Sequence, residues 1–516
     1  MNRFIAKHAD KITGVLSGFD RMVLRGTLRP IAYVEGMKRL LWRQNVLLKE
    51  FGPYALRLTE QLREASLQQA KQLQRPIVYL HSSHTNKEEV ALKIAQRDKI
   101  TKGLIAVLTS VEPCSSFEVY KNRDAKRLEL VSRPRKGLAL YHYMIDPVFG
   151  FMNARIQSWL PFTIQICING REWLARSMDK LRLSYQRRDN CFTQLSNLKR
   201  AQSLMNQQIR FAWTRALDKF ARLLNPAHAD MFKGLSLDYY WSVHQSEWAT
   251  DVMFKDSASL AAIYPALVLH GITSFSSPDV MRFLGRKVHG AFEGEIISDF
   301  KNRPEGIRIK HRVGPNSVKI YDKQGSVLRT ETTINGTYDF KVFRTAEGDP
   351  NGRKSWRPMR KGIADLQRRA NVSHASNNRY LDALASVDTS VPLITMVGKI
   401  CQPTQWNNKR VRALRPWSPE DTQLFQIVNR GEFAINGFRN RDIQALLFDS
   451  KASTPEEKRR RSARVSRLLR MLRAHGLIKK INSTHRYALT SSGRDIISAI
   501  LTTQRVSLHQ LQKLAA

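Results

Sequence analysis

Between Gly103 and Ile168 one β-type segment follows another: GLIAVLTSV, SFEVYKN, RLELVSR, GLALYHYMI and, after DPVFGFMN, ARIQSWLPFTIQICI. Parallel neighbours need a crossover of roughly a dozen residues or more, so the short breaks predict antiparallel pairing and place the main sheet here. Upstream, GFDRMVLRGTL predicts a strand pair within residues 1–30, MKRLLWRQNVLLKEF and LTEQLREASLQQAKQLQ have helical periodicity, and RPIVYLHSS is strand-like. NKEEVALKIAQRD predicts a helix opened by Asn86, with Glu88 and Glu89 in its first turn. Downstream, NGREWLARSMDKL and the long tract TQLSNLKRAQSLMNQQIRFAWTRALDKFARLLN predict a helical cover for the sheet. A further unit starts near DYYWSVHQSEWATDVMF, continues through two short helices, the second with Ser277 as cap and Pro278 in its first turn, and ends in the meander IKHRVGPNSVKIYDKQGSVLRTETTIN. A helix is expected from about Ile363 to Ser386.

With 516 residues, three or four domains are expected. The fold class is α+β and multidomain, with mixed and antiparallel sheets under helical cover. The expected divisions are 1–100, 101–235, 236–345 with the meander, a linker and helical connector at 346–416, and 417–516.

The last division has the clearest local signals. Ser418, Pro419, Glu420 and Asp421 open a helix with apolar Leu424, Phe425, Ile427 and Val428. After the break AINGF, RDIQALLF gives a second helix with Ile443, Leu446 and Leu447 inward. A capping box at Thr454–Glu457 opens a third, which buries Val465, Leu468, Leu469 and Leu472 and turns Arg460, Arg461, Arg464, Arg467, Arg470 and Arg473 to its other faces. GLIKKINSTHRYALT then reads as a two-stranded ribbon with its tip at Asn482-Ser483-Thr484, and another helix follows from Ser491 or Ser492. This order, with RLLRMLRAHGLI, KK and HRYALTSSGR, resembles the winged helix-turn-helix of bacterial regulators of the MarR and ArsR type. The resemblance covers residues 417–500 and implies a recognition helix around Arg464–Arg473 for the major groove. It also implies a wing, Lys479, Lys480, His485 and Arg486, for the backbone or minor groove. Winged helices also serve as protein-interaction modules or RNA binders.

Charge narrows the partner. Eighty-five Lys and Arg face 44 Asp and Glu, a formal charge of +41, and self-repulsion on that scale is tolerable when a polyanion neutralises it. In the meander, alternation puts Arg308, Lys310 and Arg312 on one face of the first strand, and Lys319, Tyr321 and Lys323 on one face of the second. The third strand adds Arg329 and Glu331. If register joins these faces, they form a platform for a phosphate backbone, with Tyr321 placed to stack on a base. KIYDKQGSVLRTETTIN is also similar to the strand segment of some plasmid and phage rolling-circle replication proteins. That similarity implies Tyr321 as a nucleophile, although the two-histidine metal motif of that class is missing.

Metal-dependent strand cleavage needs converging carboxylates. Asp20 and Asp146 are the acids expected at strand ends within a core, with Glu118, Glu172, Glu247, Asp251, Glu293, Glu295 and Asp299 available to complete a set. Helix caps and salt bridges to the abundant arginines are the competing roles. No Walker loop or dinucleotide glycine pattern appears, so no cofactor is expected beyond Mg2+. Cys114, Cys167, Cys191 and Cys401 lack CxxC spacing, which argues against a zinc ribbon or disulfide framework. With no signal peptide or long apolar run, the expectation is a cytoplasmic protein, nucleoid-associated if bound to DNA, with no membrane partner. Homodimers or higher assemblies remain open.

As a whole the chain resembles a family of bacterial proteins with the segments FDR-x-V-x-RGTLR, NGREWLAR, RPEGIRIKH and IYDK-x-GSVLR-x-E, here Phe19–Arg29, Asn169–Arg176, Arg303–His311 and Ile320–Glu331. That resemblance brings a bacterial source and no activity. The expected function is binding of DNA, or of DNA and structured RNA, by the winged helix and the basic sheet face. The larger front part would be a mobile-element or replication-type strand-processing machine, a metal-dependent nuclease or transposase-like enzyme, or a tyrosine strand-transferase. The alternatives are a non-catalytic winged-helix transcriptional regulator and the protein subunit of a ribonucleoprotein.

Overall fold

Strands in this protein run longer than their apolar segments suggest. The computed structural model describes residues 2–273, 275–286, 294–303, 306–346, 348–349, 351–385, 393–433, 437–448, 450, 452–481 and 484–504. β1 (Ile12–Thr27) is one strand of 16 residues rather than a pair. β2 (Ile77–Leu80) is short, whereas β3 (Gly103–Asn122) and β4 (Arg127–Asp146) have 20 residues each and fuse the four segments that open the expected sheet. The two breaks expected within them lie opposite each other, Pro113 against Lys136 and Ser115 against Pro134. Polar residues facing polar residues can stay in a solvated two-stranded ribbon, so neither break ends its strand.

The described residues form two compact units that are not contiguous in sequence. One comprises 14–251 and 331–374, the other 1–13, 252–330 and 375–516. The expected divisions follow chain order. The observed boundaries at 13/14, 251/252 and 330/331 fall inside strands, and the one at 374/375 falls inside the helix Leu366–Leu384.

The first unit adds β5 (Gly150–Gln157), β6 (Ile164–Asn169), the hairpin β7 (Tyr185–Arg188) and β8 (Cys191–Leu195), and most of β9 (Tyr240–Phe254). Its strand order is β9-β1-β6-β5-β4-β3-β2. The pairs from β1 to β6 and on through β5, β4 and β3 are antiparallel. β2 joins β3 in parallel, with Ile77 opposite Val107. The helix Lys87–Arg97 supplies the crossover this requires. Asn86 caps that helix by accepting from the Glu89 N–H, and Ala91 and Ile94 pack with Leu80, Ile105 and Leu108. The long helical cover divides. Cys191–Leu195 pairs as β8, Asn197 caps the helix Leu198–Gln207, and extended Phe211 separates it from Trp213–Leu224.

The second unit holds β10 (Ile296–Arg303), β11 (Gly306–Val313), β12 (Asn316–Lys323) and the first half of β13 (Val327–Ile334), in the order β10-β11-β12-β13. The two expected helices stand at Tyr264–Thr273 and Ser277–Phe283, the second capped by Ser276 rather than Ser277. Its C-terminal part runs through the helices Pro419–Val428, Asn440–Leu447 and Pro455–Ala474, an antiparallel ribbon of Ile478–Lys480 with Tyr487–Leu489, and the helix Ser491–Thr503. Phe425, Ile443, Val465, Leu469, Leu472 and Ile497 form its core. The break residues 434–436 and the tip residues Asn482 and Ser483 lie outside the described residues. The fold is thus α+β with a large mixed sheet and helices. Among the described residues no single helix is long and apolar enough to cross a membrane.

His142 of β4 is fully buried and donates from Nε2 to the Ser66 carbonyl at 3.0 Å. Burial pushes its pKa down from 6.5 to about 4, so between those values the unfolded chain binds a proton that the folded chain refuses. Its contribution is complete above the unfolded value and declines as pH falls, by about 1.4 kcal/mol per pH unit. Denaturant titrations from pH 7 to pH 5 are expected to show this loss. His142→Gln is expected to flatten it, and an unchanged slope would contradict the assignment.

Candidate functional site

Three carboxylates converge in the first unit. Asp20 of β1, Glu247 of β9 and Glu331 of β13 each present an oxygen within 4.8 Å of the other two. Their strands are neighbours in the order β13-β9-β1, and residues on one face of adjacent strands meet across the sheet. Asp20 and Glu331 are buried, and Glu247 is half-buried.

The surroundings fix this geometry. The turn between β7 and β8 is Asp189-Asn190, with Asp189 in the left-handed region at φ 51°. It delivers Asn190, whose side-chain amide donates to Asp20 Oδ1 at 2.8 Å. The helix Gly170–Lys180 is capped by Asn169, which accepts from the Arg171 and Glu172 N–H groups at 2.8 and 3.1 Å. A Cβ at residue 170 would lie 1.9 Å from the Phe19 carbonyl oxygen, so only glycine lets the helix start this close to β1. The next residue, Arg171, is fully buried. Its guanidinium donates to Asp251 Oδ2 at 2.9 Å and to the carbonyls of Phe19 and Ala249 at 3.4 and 3.3 Å, and lies 3.9 Å from Asp20 Oδ1. Gln245 donates to Glu247 Oε1 at 2.9 Å.

An oxygen-lined cation centre has ligands at about 2.0–2.1 Å for Mg2+ and 2.3–2.6 Å for Ca2+, which puts opposite ligand oxygens roughly 4–5 Å apart. The three carboxylate oxygens, all within 4.8 Å of one another, are close enough to surround one such ion by drawing in toward it.

Of the expected acids among the described residues, only Asp20 and Glu247 belong to this cluster. Asp146 is a correction: its Oδ1 accepts from the N–H groups of Val148 and Phe149 at 2.7 and 3.0 Å, so it closes the β4–β5 turn. Asp251 and Glu172 pair with Arg171 and Arg187, Glu118 with Arg133, and Glu295 with Arg312. Asp299 of β10 lies opposite Lys310, and Glu293 lies outside the described residues. Sequence reasoning missed Glu331 as a core acid, and with it the roles of Arg171 and Asn190. The consecutive apolar pair Val327-Leu328 was the available signal that β13 is covered on both faces.

In the second unit, register joins the cationic faces of the meander. Arg308 lies opposite Tyr321, Lys310 opposite Lys319, and Arg312 opposite Ser317. The Lys319 ammonium is 5.6 Å from the centre of the Tyr321 ring. Burial, followed by the charges of Lys319 and Arg308, lowers the Lys310 pKa. Like charges directly opposed cost stability, and Asp299, opposite Lys310 on β10, offsets part of that cost. Lys323 sits half-buried at the end of β12. Arg329 is a correction: only 1% of it is exposed, because every residue of β13 is buried, so it cannot serve an open face.

On the helix Pro455–Ala474, Arg460, Arg464, Arg467 and Arg470 are exposed opposite buried Val465, Leu469 and Leu472. Arg461 and Arg473 turn back instead. Arg461 bonds Glu457 at 2.5 Å and covers Phe448, and Arg473 covers Trp406. Lys479, Lys480 and His485 are exposed on the ribbon, while Arg486 donates to the Gly437 carbonyl at 3.2 Å. Asn440 links helices, donating to the Ser462 carbonyl and Ser466 Oγ at 3.0 and 2.9 Å.

A further basic feature escaped sequence reasoning. Beyond Leu138, β4 pairs only with β3, and this ribbon exposes Lys121, Arg123, Lys126, Arg133, Arg135 and Lys136. Arg135 stacks over Trp159 at 4.3 Å. Splitting each strand at its polar break hid the ribbon.

No protein-family model, curated protein or solved structure matches the chain.

If the carboxylates hold a divalent cation, Mn2+ or Mg2+ at 100 times its Kd stabilises the fold by about 2.7 kcal/mol, raising Tm by several degrees. Glu331→Gln is expected to abolish that rise. A wild-type Tm unmoved by either ion would contradict cation binding.

Proposed function

We propose that this protein binds nucleic acid. In this reading residues 417–500 form a winged helix, with Pro455–Ala474 as the recognition helix and Lys479, Lys480 and His485 on the wing. The observation that carries it is the stripe of exposed Arg460, Arg464 and Arg467, with Arg470 beside it, on a helix whose opposite side is core. A helix of this kind can enter the major groove with arginines reaching phosphates and guanine edges. Solvation alone is a weaker explanation, since the chain carries a formal charge of +41 and opposes Lys310 with Lys319. The meander face offers a phosphate-binding platform with Tyr321 for stacking, and the β3–β4 ribbon has the form of a two-stranded groove reader.

Replacing Arg464, Arg467 and Arg470 together by Ala is expected to weaken duplex binding and reduce the slope of log K against log salt by about 2–3, at roughly 0.9 per phosphate contact. Equal binding by the variant and the wild type across a salt series would remove the recognition-helix assignment.

A second reading, favoured by the convergence of Asp20, Glu247 and Glu331, is divalent-metal-dependent cleavage or transfer of a strand. The carboxylates would hold the ion, and the ion would polarise the phosphodiester and lower the pKa of an attacking water. Mn2+-dependent nicking of plasmid DNA that disappears in Glu331→Gln is the expected result. Nicking that persists in the variant would exclude the cluster as its source.

A further inference from the structure

A cavity of about 230 Å3 lies within the second unit. Its walls come from the helices Tyr264–Thr273, Ser277–Phe283 and Leu366–Leu384, from Arg3 at the amino terminus, and from both ends of the C-terminal part, Asn429 and Ser498. It is distinct from every surface assigned above to nucleic acid.

The lining is a mixture of charge and ring. Arg3, Arg282, Arg379 and Arg494 face it together with only two carboxylates, Asp279 and Asp382. His270, also in the wall, is pushed down to about 4 by burial and is neutral near pH 7. Both carboxylates accept hydrogen bonds, while the buried Asp279 Oδ1 and Arg282 Nη1 have no hydrogen-bond partner among the described residues. Asp279 Oδ2 takes the N–H and Oγ–H of Ser276, each at 2.7 Å, and Asp382 Oδ1 takes the Arg3 N–H at 3.1 Å. Arg379 is anchored from behind by donating Nε and Nη2 to the Phe283 carbonyl at 3.1 and 2.7 Å. Burial lowers the pKa of Arg282, Arg379 and Arg494, and the charge of Arg3 adds to the effect at Arg494, while Glu432 and Asp279 at Arg282, and Asp495 and Asp279 at Arg494, oppose it only in part. Each guanidinium has therefore lost solvation that a bound anion would replace. Phe275 and Phe283 meet edge to face, with centroids 4.9 Å apart, and give the same cavity an apolar wall.

We propose that this cavity binds a small dianion with an apolar or aromatic body, specifically a phosphate monoester. Guanidinium forks match phosphate geometry and the phenylalanine rings cover the ligand's body. A volume of this size suits a small molecule rather than a polymer strand. Because Asn429 and Gly431 follow the helix Pro419–Val428, while Arg494 and Ser498 lie on Ser491–Thr503, the ligand would touch the same segment that carries the arginine-rich helix.

The test is calorimetric titration of the full chain with phenyl phosphate, alongside inorganic phosphate. Saturable binding of phenyl phosphate, tighter than that of inorganic phosphate, is expected. Arg494→Gln and Arg282→Gln should each weaken it at least roughly tenfold, equivalent to about 1.4 kcal/mol. The charge-matched control Lys219→Gln, on an exposed position of the helix Trp213–Leu224, should leave it within about twofold. Two cavity variants keep the test decisive if one fails to fold, as judged by thermal melting. Absence of saturable binding to the wild type overturns the proposal, as does equal weakening in all three variants, which would mark diffuse attraction to a cationic surface.

Discussion

The fully buried guanidinium of Arg171 holds the centre of the first unit together. It bonds Asp251 of β9, carbonyls of both β1 and β9, and approaches Asp20, while its helix rests against β1 through Gly170. Taking such a charge out of water is costly, and removing one partner of a buried pair typically costs roughly 3–5 kcal/mol. The arrangement survives because several acceptors converge on one planar donor. The carboxylate cluster depends on it: the contacts that align β1 with β9 also set Asp20 beside Glu247. Asp251, which the sequence offers as a metal ligand, is instead committed to this ion pair.

The remaining charge is arranged in the opposite way. Lysine and arginine outnumber carboxylates 85 to 44, and beside surface ion pairs such as Arg133 with Glu118 some arginines take rings as partners, as with Arg135 over Trp159 and Arg473 over Trp406. Stacking keeps a guanidinium charged and oriented without neutralising it. The exposed stripe on Pro455–Ala474, the facing lysines of β11 and β12, and the β3–β4 ribbon each gather several cations. In each, like charges lie close together, and a bound anion would lower their mutual repulsion.

Local chemistry was legible in the sequence; long-range pairing was not. Caps at Asn86, Ser418 and Thr454 mark helix starts because a side chain within three residues satisfies the first free N–H groups. The period-two pattern of 307–323 correctly assigned inward Ile309 and outward Lys310, and the observed register brought the cations together. Alternation reports period, not partner, so nothing local joined β13 to β9 and β9 to β1, and Glu331 was read beside surface cations rather than beside Asp20. Arg329 failed for the same reason, since one-sided exposure was assumed for a strand covered on both faces. The long helical tract broke at Ser196-Asn197 and near Phe211, where capping and aromatic packing with Phe149 and Trp213 overrode periodicity.

The central claim is that this chain is built to hold a nucleic acid. The most direct measurement is to purify it from a bacterial host without nuclease or high salt, extract what accompanies it, and sequence both DNA and RNA. The account predicts recovered nucleic acid that is released as salt rises, enriched in discrete duplex sites when the C-terminal helix is intact. Protein recovered free of nucleic acid at low salt, with its surface cations intact, would contradict it.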